Sequence, residues 1–366
     1  MKLEDATELK ALYLGNNKLR NIPNCFGEIK QLAQLFMEGN DLTTLPASIG
    51  MHVKLEELNC TENSLLSLPG EICRLTSLTH LCLSKNKLTT LPPQIGDMVS
   101  LQKIELLGNQ LQTLPETIGN LLQLITIDLG ENQLKELPES MGKLKSMRDL
   151  NVGKNVLSSV PAGLGGACSL DRLALDHNKL KALPAELGKL SLLSYIRVDR
   201  NEIEAFPATF GQLVNLVQLH ADENHVSFVP PELGNLRKLE HLGLSNNKLT
   251  SVPATLSEIR SLLKLDLSYN KLTALPAEFG ELVQLKQLGV QFNELRTIPA
   301  ELTQLKELTL FKAQNNQLTS IPDSIDSMIA LSNFESVLFF LKTIFSSSLF
   351  ISFFSPPPRP TPLPHF

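Results

Sequence analysis

The sequence is dominated by an asparagine that recurs every 23 residues without a single insertion or deletion. The repeated positions are Asn17, Asn40, Asn63, Asn86, Asn109, Asn132, Asn155, Asn178, Asn201, Asn224, Asn247, Asn270, Asn293 and Asn316. A strict period of this length, with leucines around the asparagine, is typical of a chain that folds as stacked structural repeats. Each repeat of such a chain packs only on its neighbours. The 366 residues are therefore expected to form one solenoid rather than two or three globular domains.

Apolar residues occupy four fixed slots in each repeat, which we number from the asparagine as −8, −5, −3 and +2. In the repeat around Asn86 they are Leu78, Leu81, Leu83 and Leu88. The alternation at −5 and −3 predicts a short strand with one face inward. Stacked repeats place such strands side by side in a parallel sheet, about 4.8 Å apart. Slots −6, −4, −2, −1 and +1 are then expected to face outward and to be free of any role in the core.

The asparagine itself is expected to point inward just after the strand, where the chain turns. A neutral amide offers both donors and an acceptor, so it can serve N–H and C=O groups of adjacent repeats together. An ionised aspartate could only accept, and a stack of carboxylates would repel. The column is therefore predicted to be structural.

A proline column at slot +6 confirms the phase of the repeat. Its members are Pro23, Pro46, Pro69, Pro92, Pro115, Pro138, Pro161, Pro184, Pro207, Pro230, Pro253, Pro276, Pro299 and Pro322. Proline has no N–H and a fixed φ, so this leg cannot extend a sheet and should turn onto the opposite, convex side. An apolar residue follows at +9, usually with glycine after it, as in Ile118 and Gly119. We expect the glycine to permit a tight turn, and the leg to be a short helix or 3₁₀ segment.

The unit LxxLxLxxNxLxxLPxxIGxLxx, seen in residues 78–100, closely resembles leucine-rich repeat proteins of the intracellular Ras-group class. The resemblance implies an α/β solenoid: a curved horseshoe with a parallel concave β-sheet and short helical or 3₁₀ segments on the convex side. The predicted repeat domain covers residues 1–331, in about 14 units of 23 residues. Proteins of this class act as signalling scaffolds, but the same unit is grafted onto many proteins, so the motif specifies fold better than function.

Both ends depart from the repeat. The chain starts in the middle of a unit, so residues 1–8 are either a minimal cap or the continuation of a protein that begins upstream. Phase holds to Leu331, but Phe339 stands where a fifteenth asparagine is due. Residues 332–366 are therefore predicted to be a non-repeat tail rich in Phe, Ser and Pro.

Three interpretations of this tail remain open. The first is that the tail is translated intron or the product of a frame error. The second is a tail anchor in which residues 337–354 span a membrane. The third is a degenerate cap of the solenoid. Residues 356–364, PPPRPTPLP, would form a polyproline II segment able to dock in an SH3-like groove, or a disordered end.

Composition and motifs exclude several classes of function. The net charge is −5, so the chain has no excess of basic residues, which argues against a nucleic-acid partner. Five cysteines in five different slots form neither a disulfide framework nor a ligand cluster, and no signal peptide pattern is present, so a cytoplasmic protein is predicted. The seven histidines fall mostly on slots expected to face solvent, and catalytic motifs are missing. We expect no metal, no cofactor and no enzymatic activity.

Charged and aromatic residues gather on the outward slots of repeats eight to eleven. The predicted partner-binding residues are Arg172, Asp176, Tyr195, Arg197, Asp199, Arg200, His220, Asp222, Glu223 and His241. Three aspartates share slot −2 on successive repeats, and the arginines are placed to compensate their repulsion. This surface is either a self-neutralising network or a binding hot spot, since Arg and Tyr are enriched in hot spots.

Two main functions are consistent with these observations. The first is a non-catalytic scaffold that binds a signalling protein on its concave face; the family resemblance suggests a small GTPase or a phosphatase complex. The alternative is the sensing portion of a larger enzyme, such as a kinase, cyclase or phosphatase regulator. A tail-anchored adaptor is a third hypothesis, and it requires the tail to insert in a membrane.

Overall fold

The computed structural model describes residues 8–327, which form fourteen stacked turns of chain. We call them coils 1–14, each named from its column asparagine, so that coil 1 holds Asn17 and coil 14 holds Asn316. Most of the segment 1–8, the fifteenth repeat and the tail at 332–366 lie outside the described residues. The expectations about both ends therefore stay predictions.

Each coil contributes one three-residue strand over slots −6 to −4. The strands β1–β14 are Ala11–Tyr13, Gln34–Phe36, Glu57–Asn59, His80–Cys82, Lys103–Glu105, Thr126–Asp128, Asp149–Asn151, Arg172–Ala174, Tyr195–Arg197, Gln218–His220, His241–Gly243, Lys264–Asp266, Gln287–Gly289 and Leu310–Lys312. They pair in chain order as one parallel sheet. The register never slips, so equal slots are always partners, as with Leu150 and Leu173. The predicted concave parallel sheet is confirmed.

The convex legs are 3₁₀ helices. Their bounds are Asn24–Glu28, Ala47–Met51, Gly70–Arg74, Ile95–Asp97, Glu116–Asn120, Glu139–Lys143, Ala162–Gly166, Ala185–Lys189, Ala208–Gln212, Pro231–Asn235, Ala254–Glu258, Ala277–Glu281, Ala300–Gln304 and Asp323–Ser327. The column proline precedes the helix, and its carbonyl accepts the N–H of the residue at +9, as from Ile118 to Pro115 (3.0 Å). Proline thus starts each helix with an acceptor while offering no donor.

A continuous apolar core lies between the sheet and the 3₁₀ helices. Inward residues of the middle coils, such as Leu124, Ile127, Leu129 and Leu134, are fully buried. The strand alternation and the +2 slot were therefore predicted correctly from the repeat. Burial of this kind stabilises each coil by roughly 1.5–3 kcal/mol per large side chain.

The asparagine column links adjacent coils by hydrogen bonds, as predicted. The amide oxygen of Asn178 accepts the N–H of Leu157 in coil 7 (2.9 Å). Its amide nitrogen donates to the carbonyl oxygens of Val152 in coil 7 (3.0 Å), and of Leu175 and Asp176 in its own coil (3.0 and 3.2 Å). Each buried amide thus satisfies one donor and up to three acceptors of the turning backbone.

The glycine after the +9 residue has a different purpose from the one expected. It lies inside the 3₁₀ helix with an ordinary negative φ, so no turn demands it. Instead, the next coil approaches closely: a Cβ on Gly119 would lie 2.5 Å from both the Cβ and the carbonyl oxygen of Ser140. Glycine is required there by the close packing of one coil on the next.

Slot −1 carries a backbone feature that sequence analysis missed. All fourteen residues in it have a positive φ, between +53° and +69°. Two are glycines and twelve are not: Asn16, Glu62, Lys85, Glu131, Lys154, His177, Arg200, Glu223, Asn246, Tyr269, Phe292 and Asn315. The left-handed conformation costs an L-residue about 1–2 kcal/mol. The repeat tolerates this cost because the left-handed conformation points the following asparagine inward. The side chains of slot −1 therefore form a row along one edge of the concave face.

His52 departs from the expectation that histidines mostly face solvent. It is fully buried on the convex side, at slot +12, where the neighbouring coils carry Ile29 and Leu75. Its Nδ1 lies 3.1 Å from the Ile29 carbonyl oxygen, and its ring meets Phe26 edge-on. Nε2 is buried without a hydrogen-bond partner, and burial lowers the pKa of the ring.

Candidate functional site

The predicted partner-binding residues are brought together on the concave face of coils 8–11. Slots −6 and −4 project from β8–β11, and the neighbouring slots −2 and −1 follow where each coil turns. One assignment is corrected: Asp176 in slot −2 is buried, with 7% of its surface exposed. Aspartates in slot −2 lie against the next coil, as Asp199 does against Asp222, so they are less exposed than an outward slot was expected to be.

Two of the three stacked aspartates, Asp199 and Asp222, accept hydrogen bonds from the next coil. Asp199 Oδ1 accepts the N–H of Asp222 (2.8 Å), and Asp222 Oδ1 accepts both the N–H and the hydroxyl of Ser245 (2.7 Å each). Burial raises the pKa of Asp222, and the Ser245 hydrogen bonds oppose that rise. These carboxylates therefore have a structural role that was not expected of an outward slot.

Only one of the three arginines compensates the aspartates. Arg197 Nε donates to Asp199 Oδ2 (2.9 Å) and lies 3.9 Å from Asp176 Oδ1. The hydrogen bond with Asp199 raises the pKa of the Arg197 guanidinium, although partial burial opposes it. Arg172 and Arg200 contact other groups, so that part of the expected network is wrong.

Arg172 belongs to an aromatic contact instead. Its guanidinium carbon lies 4.4 Å from the centre of the Tyr195 ring, which is a cation–π geometry. The other side of this cluster is His220, whose ring centre is 5.6 Å from that of Tyr195. Burial lowers the pKa of His220, against the attraction of Asp199 and Asp222.

Arg200 joins the row of slot −1 side chains. Its Nε donates to Glu223 Oε1 (2.9 Å), and its Nη1 lies 2.9 Å from His177 Nε2. Since arginine can only donate, His177 Nε2 must accept, which places the ring hydrogen on Nδ1, where Asp176 Oδ2 receives it (2.8 Å). The chain Asp176–His177–Arg200–Glu223 thus crosses coils 8, 9 and 10.

His241 is the least connected of the predicted residues. It pairs in register with Gln218 and Lys264 across the sheet, and no hydrogen bond or ion pair joins its side chain to another residue within 8–327. The other nine predicted residues all make a specific side-chain contact, which favours a preorganised surface on coils 8–10 with His241 at its border.

A cavity of about 430 Å³ on coils 5–9 was not predicted. It overlaps the predicted surface at Arg172, Asp176, Tyr195 and Arg197, and it extends over coils whose outward slots carry mostly small, polar or acidic residues. It is also lined by Glu105, Leu107, Thr126, Ile127, Asp128, Gly130, Glu131, Asp149, Asn151, Gly153, Lys154 and Ala174. The missed signal is the run of small residues: Gly130 and Gly153 in slot −2, and Ala174 in slot −4.

The glycines of the cavity lie close to polar side chains of the next coil. A Cβ on Gly130 would lie 2.9 Å from Asn151 Nδ2, and one on Gly153 would lie 2.8 Å from Asp176 Oδ1. Asn151 in turn donates to Asp128 Oδ1 (2.8 Å). Small residues therefore both open the cavity and let its polar side chains meet.

Comparison with known proteins identifies the repeat. Family models described as leucine-rich repeat match residues 53–111 and 261–282, and a leucine-rich repeat region model matches residues 169–267. A Leptospira interrogans leucine-rich repeat protein of solved structure is 32% identical, with 90% of each chain covered and a TM-score of 0.78. The chain is a leucine-rich repeat protein.

Two further solved structures show how widely this repeat architecture is used. A plant peptide hormone receptor, RGFR1 in complex with RGF2, is 27% identical over 89% of this chain and 66% of its own, with a TM-score of 0.56. The Drosophila Toll–Spatzle complex gives a TM-score of 0.77 at 24% identity, over 87% of this chain and 46% of its own, which supports the fold alone. No curated protein sequence matches the chain. The matched families are general, so the Ras-group subclass stays a prediction.

Three other features of this leucine-rich repeat protein bear on function: possible metal ligands, possible membrane-spanning helices and the cysteines. Within residues 8–327, no group of three or more His, Cys, Asp or Glu side chains is arranged to hold a metal ion. No helix over the same residues is both long enough and apolar enough to span a membrane. All five cysteines are unpaired, and burial raises the pKa of Cys73 to about 11 and of Cys82 to about 12, so both are protonated thiols at neutral pH.

Proposed function

We propose that this leucine-rich repeat protein is a non-catalytic scaffold that binds a protein partner on its concave face. Support comes first from the fold, which typically serves protein–protein interaction. The observation that carries the proposal is the connected surface of coils 8–10, where Arg172, Tyr195 and His220 form one cluster and Arg200 joins Glu223. Interfaces draw most of their binding energy from such arginine and aromatic groups.

The location and the partner class belong to the same proposal. Five unpaired cysteines are consistent with a reducing compartment, and we propose a cytoplasmic protein. A signalling partner, such as a small GTPase or a phosphatase complex, is proposed from the resemblance of the repeat unit to the Ras-group class. The ion pairs of the concave surface would then change partners on binding, with Arg197 and Arg200 turning from aspartate and glutamate of this chain to acidic groups of the partner.

The test is affinity capture from the source cells with charge-reversed variants. Arg197→Glu combined with Arg200→Glu should abolish recovery of the partners that the unchanged protein retains. The matched control is Lys143→Glu combined with Lys189→Glu, two exposed lysines at the ends of convex 3₁₀ helices, which makes the same change of net charge. Thermal melting checks that both variants are folded. Equal recovery by both folded variants would reject the concave surface.

A further inference from the structure

The acidic half of the concave cavity contains two carboxylates, Asp128 and Asp149, that form no ion pair with another residue within 8–327. Asp128 in coil 6 accepts the Gly130 N–H (3.0 Å) and the Asn151 amide (2.8 Å), both through Oδ1. Asp149 in coil 7 makes no side-chain hydrogen bond with the described residues, and neither carboxylate has an ion-pair partner within residues 8–327. Lysines near them are already paired, Lys103 with Glu105 and Lys154 with Glu131.

These two carboxylates are held in an unfavourable environment. Burial raises the pKa of Asp128, and repulsion from Glu105 and Asp149 adds to the rise. Burial also raises the pKa of Asp149, although Arg172 opposes it. A cation placed between Asp128 and Asp149 would relieve both the desolvation and the repulsion, because an opposite charge favours the ionised carboxylate. Positive charge between these two carboxylates is therefore favourable.

The opposite half of the cavity offers Arg172, the register partner of Asp149 in the next strand, whose guanidinium attracts that carboxylate without forming an ion pair with it. Arg172 stacks on Tyr195 and forms no hydrogen bond or ion pair with any residue between 8 and 327. Its planar N–H donors suit a carboxylate, which they can bind in a bidentate manner. Arg197, by contrast, is already committed to Asp199. The cavity is thus bipolar, with negative charge in coils 6–7 and an available cation in coil 8.

The spacing of the two halves matches a short stretch of extended peptide. Asp128 and Arg172 are two coils apart, which is about 10 Å at a strand spacing of ~4.8 Å. A segment in the polyproline II conformation advances about 3.1 Å per residue and returns every third side chain to the same face, so side chains three residues apart lie about 9 Å apart on one face. The volume of about 430 Å³ is enough for inserted side chains.

We propose that this cavity binds a segment of a protein partner in the polyproline II conformation that carries arginine or lysine and, three residues away, aspartate or glutamate. The basic side chain lies between Asp128 and Asp149, and the acidic side chain pairs with Arg172. This proposal rests on the proposed function as a protein-binding scaffold and specifies the chemistry of the partner segment. The segment runs across the strands, along the axis of the solenoid.

The proposal is tested by selecting a displayed library of random twelve-residue peptides on the immobilised full chain. Enriched peptides should share a basic and an acidic residue three positions apart. Their synthetic forms are then measured by fluorescence anisotropy against the unchanged protein and against Asp128→Asn combined with Asp149→Asn. The double variant should weaken binding by about tenfold or more, and added salt should weaken binding to the unchanged protein.

The matched control is Glu57→Gln, an acid-to-amide change in the same slot as Asp149 but four coils away, which should leave binding unchanged. Arg172→Gln should remove the preference for the acidic residue while keeping that for the basic one. Absence of the charge pattern among selected peptides, or equal binding to the Asp128→Asn, Asp149→Asn variant, overturns the proposal. Partner capture that still depends on Arg197 and Arg200 would in that case leave the scaffold function standing.

Discussion

At the scale of single residues, the asparagine column is the main polar determinant of the fold. Each inner asparagine offers its oxygen to one coil and its nitrogen to two, as the four hydrogen bonds of Asn178 show. Leucine has a similar size but can satisfy none of these backbone groups. The asparagine is therefore needed in this column for its hydrogen bonds and not for its volume.

Replacing Asn178 with leucine should lower the free energy of unfolding by about 1–3 kcal/mol for each buried backbone group left without a partner. Chemical denaturation monitored by circular dichroism measures the loss. The adjacent exposed Lys179 provides the control, since Lys179→Ala should change stability by less than about 0.5 kcal/mol. Equal losses in the two variants would contradict the inward role of the amide.

His52 makes the stability of the N-terminal coils depend on pH. Burial lowers its pKa from the ordinary value of 6.5, so the unfolded chain takes up a proton before the folded chain does. The contribution of the neutral ring is complete above pH 6.5 and is lost as the pH falls towards the lower folded-state pKa. Melting temperatures between about pH 8 and 5 should therefore fall less steeply for His52→Leu than for the unchanged protein. Parallel curves for the two proteins would show that the ring is not buried as a neutral group.

The positive φ of slot −1 predicts an asymmetry between substitutions. Asn246→Val should destabilise the protein by about 1–2 kcal/mol, because a β-branched side chain fits the left-handed region poorly, whereas Asn246→Gly should be tolerated. Lys248→Val, two residues away on exposed backbone of ordinary φ, is the control. Equilibrium unfolding in urea compares the three variants, and a harmless Asn246→Val would argue against the left-handed conformation.

At the scale of elements, the convex face is organised by how closely one 3₁₀ helix approaches the next. Gly119 touches the following coil so closely that a methyl group there would meet Ser140. Gly70 occupies a comparable leg in coil 3, but a Cβ on it would have no neighbour within 4 Å. Close packing on the next coil therefore explains the glycine at position 119 but not the glycine at position 70.

Gly119→Ala should cost about 1–3 kcal/mol, because the coils must separate to admit the methyl group. Gly70→Ala should be neutral or stabilising by up to about 1 kcal/mol, since it only restricts the unfolded chain. Differential scanning calorimetry of both variants gives the comparison. A larger loss at Gly70 than at Gly119 would be incompatible with the close approach of coils 5 and 6.

At the scale of the whole molecule, most of the fold could be predicted from the sequence because it is periodic. The 23-residue phase assigns the strand at −6 to −4, the inward core slots such as that of Ile127, the asparagine, and the proline before each 3₁₀ helix. The burial of Asp176, the stacking of Arg172 on Tyr195 and the cavity could not be assigned this way. They depend on which side chains meet across neighbouring coils, and that is set by individual residues such as Gly153 rather than by the period.

The layout of the concave face also differs along the molecule. Stacked aromatic pairs lie towards both ends, Tyr13 with Phe36 and Tyr269 with Phe292, while coils 5–10 between them carry the charged surface and the cavity. A partner that covers the concave face would thus meet charge in the centre and aromatic rings towards the ends.

The concave face, and not the convex side of the coils, is the surface proposed to bind the partner. A photoreactive phenylalanine analogue is placed at Tyr195 on the concave sheet or at the exposed Leu192, which lies in the turn between the convex 3₁₀ helix Ala185–Lys189 and the same strand. Cross-linked products from the two positions are then compared in the source cells. A partner bound on the concave face should give a defined adduct from position 195 that disappears with Arg197→Glu and Arg200→Glu, and none from position 192. An adduct formed only from position 192 would contradict it.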